Sequence, residues 1–500
     1  RTCAVFATVL AAGFLWSVGR EERSLAAHSG TGKAAAVEAA RSRPLMAGYG
    51  RAVVTPPLGT PCALGLDDEL VEVFDDLYAR ALYLACGGEK GLVLAVDLIE
   101  IVRSDGNELA REVAEATGIP ASRIILHATH THQTANSRWE DSQALRPYEL
   151  SEAHSSSAFK SLLSKGLVDA ARQAVAGAEE CEMTYAESPV KDIASNRRIP
   201  AGDGNRVIFR SSRPPEDIRR LPEGAVDPLL RLVLFRSKKS GRAIGICNYS
   251  CHPSAAGGDE GPYATGDFPG RGMALAENQI GNLRLIHLTG TCGEINPGKH
   301  VLSDSLDPDS RKRDIELMGE RYAAAVVSAV RIAEKRAPSE SPAGLAFARS
   351  AVSLPMRKDL ASEAELSAQL KEMVELYQRD KESGEQRARR NWGILYKLHS
   401  ARHTKDGRQE TEAAALRVGD VFLAFIPGEI SLRLGESLRA ALGRPKLLNV
   451  SCSIDCGISY VIPPDYFSEG GYEPTATDLA PEAYDVLLSH MARLLQKAGS

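Results

Sequence analysis

Arg123-Ile124-Ile125-Leu126-His127-Ala128-Thr129-His130-Thr131-His132 is the stretch on which the reading of this chain turns. Its apolar, β-branched start describes a buried strand, and three of the chain's 11 histidines follow at once. Side-chain alternation along that strand puts His130 and His132 on one face. Imidazoles presented together at a strand's carboxyl end suit a divalent metal, zinc first, or a metal ion with a general acid-base. The same residues also describe a polar strand end with solvated or hydrogen-bonded histidines.

Working outward, Gly91 to Val96 is an apolar strand ending at the carboxylate of Asp97, and a short helix is expected over Asn107–Thr117. Apolar strands recur at Ala243–Tyr249, Leu283–Leu288 and Leu447–Val450, with helical patterns between them. Ile315, Met318, Tyr322, Ala325, Ala329 and Ala333 recur at helical spacing, and Pro481–Lys497 reads as one amphipathic helix. Gly419-Asp420 between apolar runs signals a hairpin. The fold class that follows is α/β, with mixed β-sheets flanked by helices in a single large domain. Residues 361–399 stand apart. Ser362 and Glu365 form a capping box, and Leu366, Leu370, Met373 and Tyr377 make a narrow stripe in an otherwise charged segment. This predicts a helical excursion, either solvated on the surface or serving as a lid or partner-binding helix.

Composition narrows the function classes. Among 500 residues, 43% are hydrophobic and 25% charged, as in ordinary globular proteins. A net charge of −5 gives no electrostatic case for nucleic acid. Nine cysteines are too few for a disulfide scaffold of this length. Cys247/Cys251 and Cys452/Cys456 read better as core thiols or an occasional disulfide than as zinc knuckles. Arg1 is followed by the mostly apolar run Ala4–Gly19, which has the character of a signal-peptide core or an anchor. The expected organisation is a signal-like or anchor segment over 1–24, a linker over 25–45 and a catalytic domain over 46–500. Export follows from it, whether periplasmic, extracellular or membrane-anchored.

Four further stretches place polar groups after apolar runs: Asn248–Ser254, Gly266–Gly270, Thr289–Gly298 and Phe425–Glu429. Singly each is an ordinary turn. Loops at strand ends are nonetheless where sites are usually built. Taken alone, Glu429 could cap the helix after it, and Tyr460 and Tyr472 could be packed core tyrosines.

In order along the chain stand Ala47-Gly48-Tyr49-Gly50-Arg51-Ala52-Val53-Val54-Thr55-Pro56-Pro57, Asp76-Leu77-Tyr78-Ala79-Arg80-Ala81, Asp97-Leu98 and Ala128-Thr129-His130-Thr131-His132. Asn196-Arg197, Val226-Asp227-Pro228, the His252 and Glu429 segments, Tyr460-Val461 and Gly471-Tyr472-Glu473 complete the series. From Ala47 to Glu473 the chain resembles the catalytic domain of the neutral, non-lysosomal ceramidases, zinc amidases that split the N-acyl bond of ceramide. The resemblance implies a zinc ion (Zn2+) held by His130, His252, Glu429 and Tyr460, with a position left for water. It gives His132 a proton-transfer role at the leaving amine and Tyr472 a donor's role toward the developing oxyanion. Arg197 would orient the substrate's polar head. His127 matches no ligand position.

Three departures are visible. Where the family has a catalytic serine, this chain has Asn296 within Gly293-Glu294-Ile295-Asn296-Pro297-Gly298. An amide can hydrogen-bond substrate but cannot act as a hydroxyl nucleophile, which leaves a metal-activated water. Gln133-Thr134-Ala135-Asn136 replaces Ser-Gly-Pro-like residues, and with Ser500 soon after Glu473 the expectation is a catalytic domain without the family's C-terminal β-sandwich domain. The expectation is an exported zinc-dependent hydrolase of an amide bond in an N-acylated small molecule or lipid, ceramide-like compounds included, with a membrane surface as a meeting place for lipid. The alternatives are a zinc hydrolase of an ester or phosphoester and a non-catalytic cell-surface protein that keeps the fold.

Overall fold

A computed structural model describes residues 44–62, 66, 68–202, 206–257, 262–338, 344–383, 393–443 and 446–499. The signal-like segment and the linker up to residue 43 lie outside the described residues. One eight-stranded sheet contains β1 (Met46–Val53), β2 (Tyr78–Cys86), β3 (Glu89–Val96), β4 (Ile124–Ala128), β5 (Glu179–Pro189), β6 (Leu229–Ser237), β7 (Ala243–Tyr249) and β8 (Leu283–Thr289). Their spatial order is β8-β7-β6-β5-β1-β2-β3-β4. Pairing is antiparallel through the middle and parallel at both ends, β3 with β4 and β7 with β8. Parallel pairs need crossovers. Helix α1 (Arg103–Thr117) supplies the first, α2 (Ser157–Ala176) covers the neighbouring strands, and α3 (Asp267–Ile280) supplies the second. Gly48 and Gly50 let α2 press on β1, since a Cβ at either would lie 1.9 Å from a carbonyl oxygen of Ala174 or Ala170.

Helix α4 (Pro308–Glu334) runs beside α3. A second sheet follows, β9 (Leu345–Pro355), β10 (Arg408–Val418), β11 (Val421–Phe425) and β12 (Leu447–Val450), in that order, with β11 and β12 parallel. Between β9 and β10 lie α5 (Glu363–Ser383) and α6 (Ile394–His403). Helix α7 (Leu432–Leu442) links β11 to β12, and α8 (Ala483–Gly499) comes last. The sheets face each other: Leu82, Ile125, Val233 and Ile286 of the first share a core with Leu416, Leu423, Phe425 and Leu448 of the second. Helices α1 to α4 cover the first sheet's outer face, and α7 and α8 cover the second's. The result is a helix-sheet-sheet-helix arrangement. It explains why β3, β4 and β8 read as largely apolar runs, since both their faces are buried over most of their length.

The large sheet is coiled enough that its two ends meet. Although β4 and β8 are opposite edges, Thr289 Oγ donates to Thr129 O at 2.6 Å and Thr289 N donates to His127 Nε2 at 3.1 Å.

Two expectations change, and a third, core thiols, is met. Helix α1 begins at Arg103 rather than Asn107, because Asp105 suits a first helical turn and accepts Glu140 N at 3.0 Å. Among its described residues, the 361–399 excursion is packed along one side rather than wholly solvated. Leu366, Leu370, Val374 and Tyr377 of α5 share a small core with Leu395 and Leu398 of α6 and with Leu145. Every described cysteine is a buried free thiol, so neither spaced pair is a disulfide. No described helix is long and apolar enough to cross a membrane.

Candidate metal centre

The carboxyl ends of the parallel strands gather at one place. Strand β4 stops at Ala128; Thr129 N then donates to Val96 O at 2.9 Å and His130 N to Leu98 O at 2.8 Å. His130 has φ 67°, a left-handed conformation rare for a residue with a side chain. The turn, not strand alternation, therefore brings His130 and His132 together, with ring centroids 5.0 Å apart. This corrects the expectation of two imidazoles on one strand face. Strand β7 delivers His252, whose N–H donates to Ile295 O at 2.9 Å.

Beyond β11, Gly428 takes φ 73°, and a Cβ there would lie 2.3 Å from Ser459 O. That close approach lets Glu429-Ile430 pair in parallel with Tyr460-Val461, with Glu429 directly opposite Tyr460. Glu429 does not cap the next helix. Ser431 does, its Oγ accepting Leu434 N at 3.3 Å, and the Glu294 carboxylate accepts Leu432 N at 3.1 Å. The Glu429 carboxylate is thereby left to face the histidines.

The electrostatics follow from these contacts. His130 Nδ1 donates to Ile99 O at 2.6 Å, and His252 Nδ1 donates to Cys292 O at 2.6 Å. With Nδ1 committed as donor, each Nε2 carries a lone pair, and both face Glu429 Oε2, at 3.4 Å for His130 and 3.0 Å for His252. Three acceptors directed at one another need a cation between them, a proton or a metal ion. Burial disfavours protonating His130, but the Glu429 charge outweighs it and raises the group to about 10. Burial also pushes His252 down to about 4. Burial opposes the Glu429 charge, yet His130 holds that carboxyl well below its ordinary value. Tyr460 is pushed well above the usual phenol range by burial, with Arg197 working the other way and the Glu429 charge adding to the rise.

His130, His132 and His252 each present a ligand atom within 4.8 Å of the others. With Glu429 and Tyr460 at the same place, this nitrogen and oxygen donor set fits zinc. Arg197 and Tyr472 lie beside it. The Arg197 guanidinium carbon is 5.3 Å from the Tyr460 ring centre and 5.0 Å from that of Tyr472, while its Nε donates to Glu473 Oε1 at 2.8 Å. Tyr472 is 44% exposed and stacks on Phe209 at 5.6 Å. Asn296 is buried, both ends of its amide engaged: Nδ2 donates to Arg210 O at 2.9 Å, and Oδ1 accepts Gly298 N at 3.1 Å. Its strand partner is Ser195, which holds this loop beside Arg197. His127 sits apart with Nδ1 3.1 Å from Ser453 Oγ, and burial pushes it down to about 3.

Sequence reasoning passed over the supports. Glu473 is fully buried and takes both Arg197 and Arg198, the latter at 2.7 Å. Glu294, raised to about 7 by burial and then by the Glu473 charge, accepts Tyr466 O–H at 3.1 Å. The one available signal was adjacency, since Glu473 follows Tyr472 and Glu294 stands two residues before Asn296.

No known family's sequence profile matches the chain, and no curated protein matches it. Its structure is similar to the crystal structure of neutral ceramidase from Pseudomonas aeruginosa, with TM-score 0.65 and 16% identity, covering 90% of this chain and 74% of that one. A ceramidase complexed with C2 matches at TM-score 0.63 and 16% identity, covering 91% and 75%. By its architecture, this chain has the neutral-ceramidase fold.

Proposed function

We propose that the protein is an exported, zinc-dependent hydrolase of an amide bond in an N-acylated compound, ceramide-like lipids included. The observation that carries this reading is the convergence of two imidazole Nε2 atoms on the Glu429 carboxylate, with His132 as a third imidazole alongside. His130, His252, Glu429 and Tyr460 are the residues to hold the ion. Zinc there supplies Lewis acidity that makes water a nucleophile near neutral pH. The likeness in fold to ceramidases supports amide hydrolysis as the reaction class.

The chain's own residues take the remaining roles. His132, half-buried at the centre, delivers a proton to the leaving amine. Tyr472, at the exposed rim, donates to the developing oxyanion. Arg197, fixed by Glu473, orients the polar head of the substrate. Asn296 offers no hydroxyl for an acyl-enzyme, and its engaged amide holds the loop beside Arg197.

The test combines zinc content with turnover of N-acyl amide probes. Stoichiometric zinc and amide hydrolysis, both lost in His130→Ala, are expected. A folded protein that holds no zinc under zinc-replete conditions sinks the reading. Asn296 in the serine position favours one second reading, a zinc hydrolase of an ester or phosphoester. Turnover of those probes with none of amides would establish it.

A further inference from the structure

A second group of ligand-bearing side chains lies on the helical excursion, away from the centre just described. His399 and His403 are one turn apart on α6, so both imidazoles share a helix face, with ring centroids 4.3 Å apart. Glu140, from the short helix Trp139–Ser142, faces them. Its Oε1 lies 3.0 Å from His403 Nε2 and its Oε2 lies 3.9 Å from His399 Nδ1. One ligand atom from each of the three falls within 4.8 Å of the other two. Asp141 Oδ1 is 2.6 Å from His399 Nδ1, a further carboxylate oxygen at the same spot. Neighbouring Gly457 leaves room there, since a Cβ at that position would come within 2.7 Å of His399 Nε2.

We propose that Glu140, His399 and His403 form a second metal site, for zinc or a neighbouring first-row divalent ion, with Asp141 at its inner side. Two imidazoles and a carboxylate are borderline donors that select such ions over magnesium or calcium, which prefer all-oxygen shells. Exposure grades across the group. The His399 side chain is 4% exposed, Glu140 is 32% and His403 is 41%. An ion can therefore enter from solvent while one ligand stays anchored in the protein.

Its place suggests its use. Tyr396, also on α6, donates to Glu100 Oε1 at 2.6 Å, and Arg138 donates to Glu100 Oε2 at 2.6 Å. The residue before Glu100 is Ile99, whose carbonyl fixes the His130 ring. An ion joining α6 to Trp139–Ser142 ties the excursion to the loop that follows His132 and to the backbone behind His130.

The experiment counts zinc retained after desalting by metal-stripped, tag-free protein exposed to Zn2+ alone. The unchanged chain should hold two equivalents, His403→Ala and Glu140→Gln one each, and the His130→Ala/His403→Ala double variant none. Both α6-cluster positions are partly exposed, and circular dichroism checks that each variant is folded. Zinc content unchanged in both His403→Ala and Glu140→Gln overturns the inference. The two readings fail separately: loss of zinc only in His130→Ala removes this site and leaves the catalytic centre, and loss only in His403→Ala does the reverse.

Discussion

The two histidine groups are built in opposite ways. At the strand ends, His130, His252, Glu429 and Tyr460 arrive from four distant loops, and all but Glu429 are almost fully buried. On α6, His399 and His403 come from a single helical turn, and Glu140 meets them at a surface half open to solvent. The first group depends on the whole fold, whereas the second needs one helix docked on one neighbour. Buried charge is costly unless matched, so the first group stores far more of its energy in mutual contacts.

Breaking the first group should produce the largest effects. His130→Ala or His252→Ala should abolish zinc retention and amide turnover together, measured by metal analysis and probe hydrolysis. His132→Ala should keep zinc and lose turnover; loss of both would make His132 a ligand instead. Tyr472→Phe should lower kcat about 10²–10³-fold with little change in folding, as for removal of one oxyanion donor. An unchanged kcat would reduce Tyr472 to its stacking partner role with Phe209.

The supports should show in stability rather than chemistry. Glu473→Gln leaves the buried Arg197 guanidinium without its carboxylate and Arg198 with Glu469 alone, and should cost about 3–5 kcal/mol in urea unfolding. A smaller signature is acid sensitivity. Burial lowers His127 from 6.5 to about 3, so the unfolded chain binds a proton that the native chain refuses. Its contribution is complete above pH 6.5 and is lost as pH falls toward about 3, at up to about 1.4 kcal/mol per pH unit. His127→Asn should flatten that slope in urea titrations at successive pH values. His287, also held well below its ordinary value by burial, would leave a residual slope of the same sign.

Much of this was legible in the residues alone. Largely apolar runs marked the doubly buried strands, and polar stretches after them marked the loops that carry His130, His252 and Glu429. What the sequence hid was geometry set by tertiary contacts. The left-handed turn at His130 overrides the alternation suggested by the residues before it. Ser431, not Glu429, caps α7, because the two-residue pairing with Tyr460 pulls Glu429 toward the histidines. The α6 cluster hid differently. His399 and His403 have helical spacing, but nothing local to them announces Glu140, which lies far earlier in the chain. The docking of α5 and α6 was equally invisible, since the apolar partner Leu145 belongs to a separate segment.

The pairing of Glu429 with Tyr460 has a kinetic consequence. Apart from the local approach of His130 and His132, the contacts at that centre close loops of 30 residues or more, and such non-local contacts are slow to form during folding. No subset of one sheet contains the donor set, so a chain stalled with one sheet assembled has no centre at all. Activity should then appear only with the last cooperative step of refolding, with no partly active intermediate. Retained zinc at this centre would serve as a reporter of complete native topology.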